Sequence, residues 1–153
     1  MTPSSPLVKD SSVNYLVDTG PLVAMLNALD GYHALSAGAL RALGDVFHTT
    51  EAVLTETCHL LQPSRHALKV LMDAVEIGKI RVHQIFPDET ARINALLQKY
   101  QQMDLADASM VVLSEMYPRA KLIRAKLITL DKKDFTIYRR RDGLPVPCIM
   151  PEG

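Results

Sequence analysis

The sequence is poor in cysteine and has no long apolar run. Its two cysteines, Cys58 and Cys148, lie far apart in the chain, so they indicate neither a disulfide framework nor a CxxC metal pair. No apolar stretch approaches the roughly 18 residues of a membrane-spanning helix, and residues 1–12 are polar, without the apolar core of a secretory signal. We therefore expect a cytoplasmic protein with free thiols and no membrane association.

Glycine motifs that bind phosphate and histidine spacings that bind zinc are also absent from the sequence. It contains neither GxGxxG nor GxxxxGK followed by Ser or Thr, so no motif predicts a nucleotide cofactor. The five histidines are scattered, without the spacing of a zinc site. We interpret them as packing or surface residues.

The chain also lacks an excess of charge of either sign. Lys and Arg together number 17, as do Asp and Glu, so the formal net charge is zero. Nucleic-acid-binding domains are often basic, but an acidic metal site inside a basic rim would give the same sum. The charge count therefore decides neither for nor against a nucleic-acid partner.

The length of 153 residues fits one domain, which we expect over residues 13–150, after a flexible lead-in over residues 1–12 that is rich in Pro and Ser. The predicted strands are VNYLVD, DVFHT, KIRVHQI, KLITLD and an edge strand over residues 145–150. The predicted helices are LVAMLNAL, HALSAGALRAL, EAVLTETCHLL, RHALKVLMDAVEIG, ETARINALLQKYQQ and DLADASMVVLSEMY. Because strands alternate with helices, the pattern predicts an α/β fold with a mainly parallel sheet and helices on both faces.

Polar residues that precede three of these helices predict where the helices begin. Thr19 is the predicted cap of the first helix, Thr49 or Thr50 of the third, and Asp88 of the fifth. Pro21 fits the first turn of the first helix, because its fixed φ suits that position.

A five-residue repeat stands before the fourth predicted strand. RAKLI occurs at residues 119–123 and again at residues 124–128, and only the second copy runs directly into residues 129–131. Because five is an odd number, a strand paired through the first copy would present the opposite side chains to the core. We expect the second copy to form the strand and the first to lengthen the preceding loop or helix.

Five acidic residues stand where the predicted fold could bring them together. Asp18 and Asp131 follow apolar strands, and ligands of parallel sheets bind outside the carboxyl ends of the strands. Glu56 lies on the apolar side of its helix, where an unpaired charge is costly to bury. Asp104 and Asp107 are spaced to lie on one side of a first helical turn.

Carboxylates that converge repel one another, and a divalent cation would supply the compensating charge. Hard cations such as Mg²⁺ prefer oxygen ligands, bind one or two carboxylates directly and keep several waters. Such an ion can bind a phosphate oxygen, activate water and stabilise a leaving alkoxide. Each acid alone also fits an ordinary role as a helix cap, ion-pair partner, first-turn acid or turn residue. Their joint placement at strand ends and on facing helices predicts the metal site.

Four segments resemble motifs of the PIN-domain family, especially VapC-like toxins of toxin–antitoxin pairs. In chain order they are YLVDTGPLVAMLN, TEAVLTETCHLL, MDLADASMVVLSEM and ITLDKKDFTIYR, which together span most of residues 15–140. Phe135 and Tyr138 fit the aromatic positions of the family's C-terminal tail. The resemblance implies the following site residues: the catalytic acids Asp18, Glu56, Asp107 and Asp131, the neighbouring outer-shell acid Asp104, and the polar helper Thr129. The RAKLI repeat departs from the family pattern, which usually has a short link there.

The same resemblance implies a fold and an activity. The expected fold is a PIN-like three-layer α/β/α sandwich around about five mainly parallel strands. The expected activity is endoribonuclease cleavage of RNA, of the tRNA or rRNA class, with Mg²⁺ or Mn²⁺ held by Asp18, Glu56, Asp107 and Asp131. The resemblance further implies a homodimer and inhibition by a cognate antitoxin protein that enters the active-site groove.

Basic residues near the last acid predict the RNA contacts. Because phosphate neutralisation dominates affinity for nucleic acids, we expect these contacts at Lys132, Lys133, Arg139 and Arg140; a solvated tail is the alternative interpretation. The alternative for the whole chain is a catalytically silent PIN-like module that binds RNA or protein. A receiver-like domain ranks lower, because the last predicted strand, PVPCIM, carries no Lys.

Overall fold

A computed structural model describes residues 13–27, 38, 46–116 and 124–149 of the chain. Its strands are β1 (Val13–Val17), β2 (Phe47–Thr50), β3 (Ile80–His83), β4 (Arg124–Ile128) and β5 (Cys148–Ile149). They form one sheet in the order β3-β2-β1-β4-β5, and every neighbouring pair is parallel. The predicted parallel sheet of about five strands is therefore confirmed, with the two-residue strand β5 at one edge.

Six helices accompany the sheet in the described part of the chain. They are α1 (Thr19–Leu26), α2 (Glu51–Leu61), α3 (Arg65–Glu76), α4 (Thr90–Lys99), α5 (Leu105–Glu115) and α6 (Lys132–Ile137). This is the α/β/α arrangement that the alternating pattern predicts. The lead-in over residues 1–12 and the predicted helix HALSAGALRAL lie outside the described residues, apart from Gly38. None of the described helices has the length and apolar character needed to cross a membrane.

Side-chain caps explain where three helices begin, and two predicted caps are corrected. The Thr50 hydroxyl accepts a hydrogen bond from the Val53 amide at the start of α2, as expected. Thr19 is instead the first residue of α1, whose N-cap is Asp18. Asp88 does not cap α4, because that helix begins at Thr90 after the N-cap Glu89, and the Thr90 amide donates to the Pro87 carbonyl.

Helix starts at α3 and α5 follow the same rule. The Ser64 hydroxyl accepts from the Ala67 amide at 3.2 Å, and the Asp104 carboxylate accepts from the Asp107 amide at 2.8 Å. The role of Asp104 as a helix cap, left open by its sequence position, is therefore present in the structure. Such caps stabilise a helix by about 1 kcal/mol each.

The core is densest around the two central strands and α5. Leu16, Val17, Leu127 and Ile128 are fully buried, as expected for parallel strands that are covered on both faces. Nearly every residue of α5 is buried as well, and the hydroxyl of Ser109 is satisfied by donating to the Ala106 carbonyl. The first turn of α5 is thus fixed firmly against the ends of the strands.

The second RAKLI copy forms β4, as predicted. Its five residues pair in register with the five residues of β1, from Val13 opposite Arg124 to Val17 opposite Ile128. Leu127 and Ile128, on opposite faces of the sheet, are both buried, and β4 ends immediately before Thr129. The first copy, residues 119–123, lies outside the described residues.

Two histidines bond to each other across β2 and β3. His48 Nδ1 and His83 Nε2 are 2.8 Å apart, and the ring centroids are 5.0 Å apart. One ring must accept where the other donates, so at least one of the two is neutral. Desolvation by burial, followed by the charges of His83 and Arg81, lowers the pKa of His48 to about 4.

This pair predicts a pH-dependent contribution to stability. The folded pKa of His48, about 4, is below its ordinary value of 6.5, so the unfolded chain takes up the proton first. Its contribution is complete above pH 6.5 and is lost as the pH falls toward 4. Between pH 7 and pH 4.5, wild type should lose about 1 kcal/mol more unfolding free energy than His48→Gln, since this site is only half-buried.

Urea unfolding at several pH values measures this difference. His66→Gln is the matched control, because His66 is exposed on α3, and it should follow the wild-type curve. Parallel pH curves for wild type and His48→Gln would contradict the prediction.

Candidate active site

An open cleft of about 420 Å³ lies where β1 and β4 end. The carboxyl ends of parallel strands are the usual ligand sites of open α/β sheets. Of the eleven described residues that line it, six are acidic and none is a lysine or an arginine. The lining residues are Asp18, Thr19, Gly20, Glu56, Leu60, Gln102, Asp104, Asp107, Leu130, Asp131 and Asp134. The structure thus brings together all five acids singled out in the sequence and adds Asp134.

Asp18 is the most deeply buried of these acids. It directly follows β1, is only 7% exposed and makes no side-chain cap bond to α1. The Thr129 hydroxyl donates to Asp18 Oδ2 at 3.0 Å, and the same hydroxyl accepts from the Asp131 amide at 2.9 Å. Thr129 therefore ties the end of β4 to the end of β1. Burial raises the pKa of Asp18, against the lowering effect of the hydrogen bonds from Thr19 and Thr129.

Asp107 lies in the first turn of α5, three residues after the capping Asp104. Its Oδ2 accepts a hydrogen bond from the Tyr138 hydroxyl at 3.0 Å. Burial, followed by repulsion from Asp104 and then Asp18, raises the pKa of Asp107 to about 7. At neutral pH this carboxyl therefore carries a proton for a substantial fraction of the time.

The remaining acids come from α2 and α6. Burial, then repulsion from Asp104 and Asp18, raises the pKa of Glu56 on α2. Asp131 is exposed, yet partial desolvation and then the neighbouring Asp134 raise the pKa of its carboxyl to about 6. Asp134 is absent from the sequence predictions, although its spacing of three from Asp131 places both on one side of the first turn of α6.

Comparison with known proteins agrees with this fold. Residues 15–141, most of the chain, match the PIN domain family. The chain belongs to the PIN domain family. The resemblance stated from its four motifs is thereby confirmed at the level of the family.

Two solved structures share this PIN fold. The first is VapC20 from Mycobacterium tuberculosis, a Sarcin-Ricin loop cleaving toxin, with a TM-score of 0.59 and 22% identity over 67% of this chain and 82% of that one. The second is a toxin–antitoxin complex from Klebsiella pneumoniae, with a TM-score of 0.63 and 20% identity over 91% of this chain and 98% of that one. At these identities the likeness shows the fold. None of the curated proteins compared with the chain matches it.

Tyr138 contributes to the site of this PIN domain, although the sequence motifs identified it only as an aromatic residue of the C-terminal tail. Its ring is fully buried and packs edge-on against Phe135 and Tyr100, with centroids 5.4 and 5.2 Å away. The Arg139 amide donates to the Tyr100 hydroxyl at 3.1 Å, which fixes the chain direction just after Tyr138. Tyr138 is thereby held with its hydroxyl on Asp107.

A buried ion pair supports the same segment from the other side. Arg92 on α4 donates two hydrogen bonds to the Glu115 carboxylate at the end of α5, at 3.0 and 2.9 Å. The same carboxylate accepts from the Arg141 amide at 2.6 Å. Because both side chains of the pair are mostly buried, the loss of either partner would leave an uncompensated charge and loosen the segment after Tyr138.

The basic rim predicted from the sequence is only partly exposed. Lys132 and Lys133 begin α6, and Lys133 is exposed. Arg139 is half-buried. Arg140 is only 8% exposed and donates to the Ser114 carbonyl at 2.7 Å. This corrects the prediction for Arg140, because its guanidinium fastens the C-terminal loop to α5 and does not belong to an exposed rim.

The chemistry of the cleft fits a divalent cation. Among the described residues that line it, all of the ionisable groups are carboxylates. Burial, with repulsion between carboxylates added to it, raises the pKa of Asp18, Glu56, Asp107 and Asp131. Among the described residues, no three acidic, histidine or cysteine side chains converge closely enough to hold an ion alone. Mg²⁺ is suited to such a site, because it binds one or two carboxylates directly and reaches others through water.

Uncompensated charge predicts that Asp107→Asn stabilises the metal-free protein. Asn carries no charge to desolvate or repel, and its oxygen can still accept from Tyr138. In EDTA at pH 8, the unfolding free energy should rise by on the order of 1 kcal/mol, a figure reduced for partial exposure. The folded pKa of about 7 is above the ordinary 3.8, so the penalty exists above pH 7 and fades as the pH falls toward 4.

Chemical unfolding in EDTA at pH 8 and pH 5 tests this pattern. Asp88→Asn is the matched control, since Asp88 is exposed in the turn before α4, and it should change stability at neither pH. A variant at Asp107 that is less stable than wild type at pH 8 would count against uncompensated charge at this position.

Proposed function

We propose that the protein is a metal-dependent endoribonuclease that hydrolyses RNA phosphodiester bonds. The observation that carries the proposal is the gathering of six carboxyl groups in one cleft at the carboxyl edge of a PIN-domain sheet. Such a site needs no serine or cysteine nucleophile. Mg²⁺ or Mn²⁺ bound there would supply positive charge for a phosphate oxygen and a water of lowered pKa.

The residues of the chain have distinct proposed roles around that ion. The proposed ligands, directly or through water, are Asp18, Glu56, Asp107 and Asp131. Thr129 holds Asp18 by donating to Oδ2, and Tyr138 holds Asp107 in the same way. Both bonds orient a carboxylate, which favours a fixed arrangement for the incoming phosphate. Asp104 caps α5 and adds negative charge to the cleft as an outer-shell acid.

We further propose that this ribonuclease is the toxin of a toxin–antitoxin pair. The support is the shared fold with VapC20, a Sarcin-Ricin loop cleaving toxin, and with the toxin–antitoxin complex from Klebsiella pneumoniae. The corresponding partners of this chain are a structured RNA of the tRNA or rRNA class and a cognate antitoxin. We also propose that the protein is a homodimer and acts in the cytoplasm. Its candidate contacts to RNA phosphates are Lys132, Lys133 and Arg139.

A catalytically silent PIN domain that binds RNA or protein is the second candidate. The observation that favours it is the lack, among the described side chains, of a trio close enough to hold an ion alone. Mn²⁺ titration distinguishes the two candidates: retained RNA binding without Mn²⁺ binding supports the silent module.

Mapping of new RNA ends in total RNA tests the enzymatic proposal. Wild type with Mg²⁺ or Mn²⁺ should cut at discrete sites, and EDTA should abolish the cuts. Asp18→Asn should lower cleavage by at least about 100-fold, as expected when a group that positions transition-state charge is lost. Its fold should survive, because the Asn oxygen can accept the Thr129 hydrogen bond.

Asp73→Asn is the matched control for this experiment. Asp73 is exposed on α3 and makes only a surface pair with Lys69, so the variant should cleave like wild type. Unchanged metal-dependent cleavage by Asp18→Asn would contradict the assigned role of Asp18.

A further inference from the structure

A second cavity, of about 290 Å³, lies at the same edge of the sheet as the acidic cleft. Its lining comes from the ends of β2 and β3 and from α2 and α5. The lining residues are Thr50, Glu51, Ala52, Gln84, Ile85, Phe86 and Ser109. Because the acidic cleft lies at the ends of β1 and β4, the two cavities are neighbours along the sheet order β3-β2-β1-β4.

Helix α5 forms a wall common to both cavities. Asp107 in its first turn lines the acidic cleft, and Ser109, two residues later, lines the second cavity. The hydroxyls of Ser109 and Thr50 are 2.7 Å apart, and both also bond to backbone groups. This wall is therefore rigid and its polar groups are satisfied within the protein.

The groups left to contact a ligand are two hydrogen-bond acceptors, one amide N–H and an aromatic ring. Glu51 contributes a carboxylate. Gln84 donates one Nε2 hydrogen to the Phe86 carbonyl at 2.7 Å and keeps its acceptor Oε1 and its second N–H. Phe86 is 41% exposed and lines this cavity, so its side chain is accessible to a ligand there. None of the described residues that line this space is a lysine or an arginine, so they do not favour a phosphate group.

We propose that this cavity binds one unpaired base of the RNA strand that is cut in the acidic cleft. Single-stranded RNA is recognised by stacking of splayed bases on aromatic side chains and by hydrogen bonds to their Watson–Crick edges. Phe86 would supply the stacking face, and Glu51 and Gln84 would accept from the donors of the base. The volume is near the lower end of ligand pockets, about 300 Å³, which suits one base.

The acceptors favour a base that presents amino or imino hydrogens. Guanine fits best, because its Watson–Crick edge offers two adjacent N–H donors to one carboxylate, whereas uracil offers only one. The inference rests on the proposed ribonuclease function. It predicts that the enzyme prefers RNA with a guanine near the cleaved bond.

Binding of short single-stranded RNAs tests the proposal in the cleavage-deficient Asp18→Asn protein, measured by fluorescence anisotropy. Each RNA spans the mapped cleavage site and lacks the base at one position. At one position near the cut, loss of the base should weaken binding by about 5- to 150-fold, the effect of one stacking contact. In Phe86→Ala and Phe86→Leu, the same loss of the base should weaken binding several-fold less, because the stacking contact is already absent and only the hydrogen bonds to the base remain to be lost.

A second comparison tests the acceptor role of Glu51. Replacement of guanine by inosine, which lacks the amino group, should weaken binding about fivefold or more, and Glu51→Ala should remove that difference. Ile77→Ala is the matched control, because Ile77 is 67% exposed and lines neither cavity. With an intact Asp18, Phe86→Leu should raise KM and leave kcat unchanged.

The outcomes separate failure of the inference from failure of the proposed function. If the wild type neither cuts nor binds RNA, the proposed function fails and the base site fails with it. If the wild type cuts RNA but the abasic penalties are equal in wild-type and Phe86 backgrounds, the base site alone is overturned. Loss of antitoxin binding in Phe86→Ala, with abasic penalties unchanged, would also overturn it and mark a protein-binding surface.

Discussion

The burial of carboxyl groups in one cleft, where they also repel one another, is the constraint on which the site depends. Desolvation, with repulsion between carboxylates added to it, raises the pKa of Asp18, Glu56, Asp107 and Asp131. A fold that only needed stability would disperse these charges or pair them with cations. None of the described residues that line the cleft is a lysine or an arginine, so the charge of a divalent ion is the complement that we propose for these carboxylates.

Hydrogen bonds and packing in the rest of the structure hold these acids in place against their mutual repulsion. The end of β4 is tied to the end of β1 through Thr129, and α5 is anchored by its own buried length. Residues 138–141 contact α4 and α5. The Arg141 amide donates to Glu115, which is paired with Arg92, and the Tyr138 hydroxyl donates to Asp107. Local interactions set the position of each acid, whereas contacts between remote segments set its orientation.

This division explains what could be predicted from the sequence. Asp18 and Asp131 follow strands, and a parallel sheet places such residues at one edge whatever the details of packing. The role of Tyr138 and the burial of Arg140 depend on how the C-terminal segment packs on helices far away in sequence, which no local pattern encodes. Asp134 had a local signal, its spacing from Asp131, but the sequence predictions treated only the strand-end residue as functional.

Calorimetric titration with Mn²⁺ at pH 6.5 and pH 8.5, in pairs of buffers with different ionisation enthalpies, tests the constraint most directly. With pKa values of about 7 at Asp107 and about 6 at Asp131, binding at pH 6.5 must expel protons from the site. We expect proton release at pH 6.5 that disappears by pH 8.5 and is reduced in Asp107→Asn. An absence of Mn²⁺ binding, or a release that is equal at the two pH values, would contradict it.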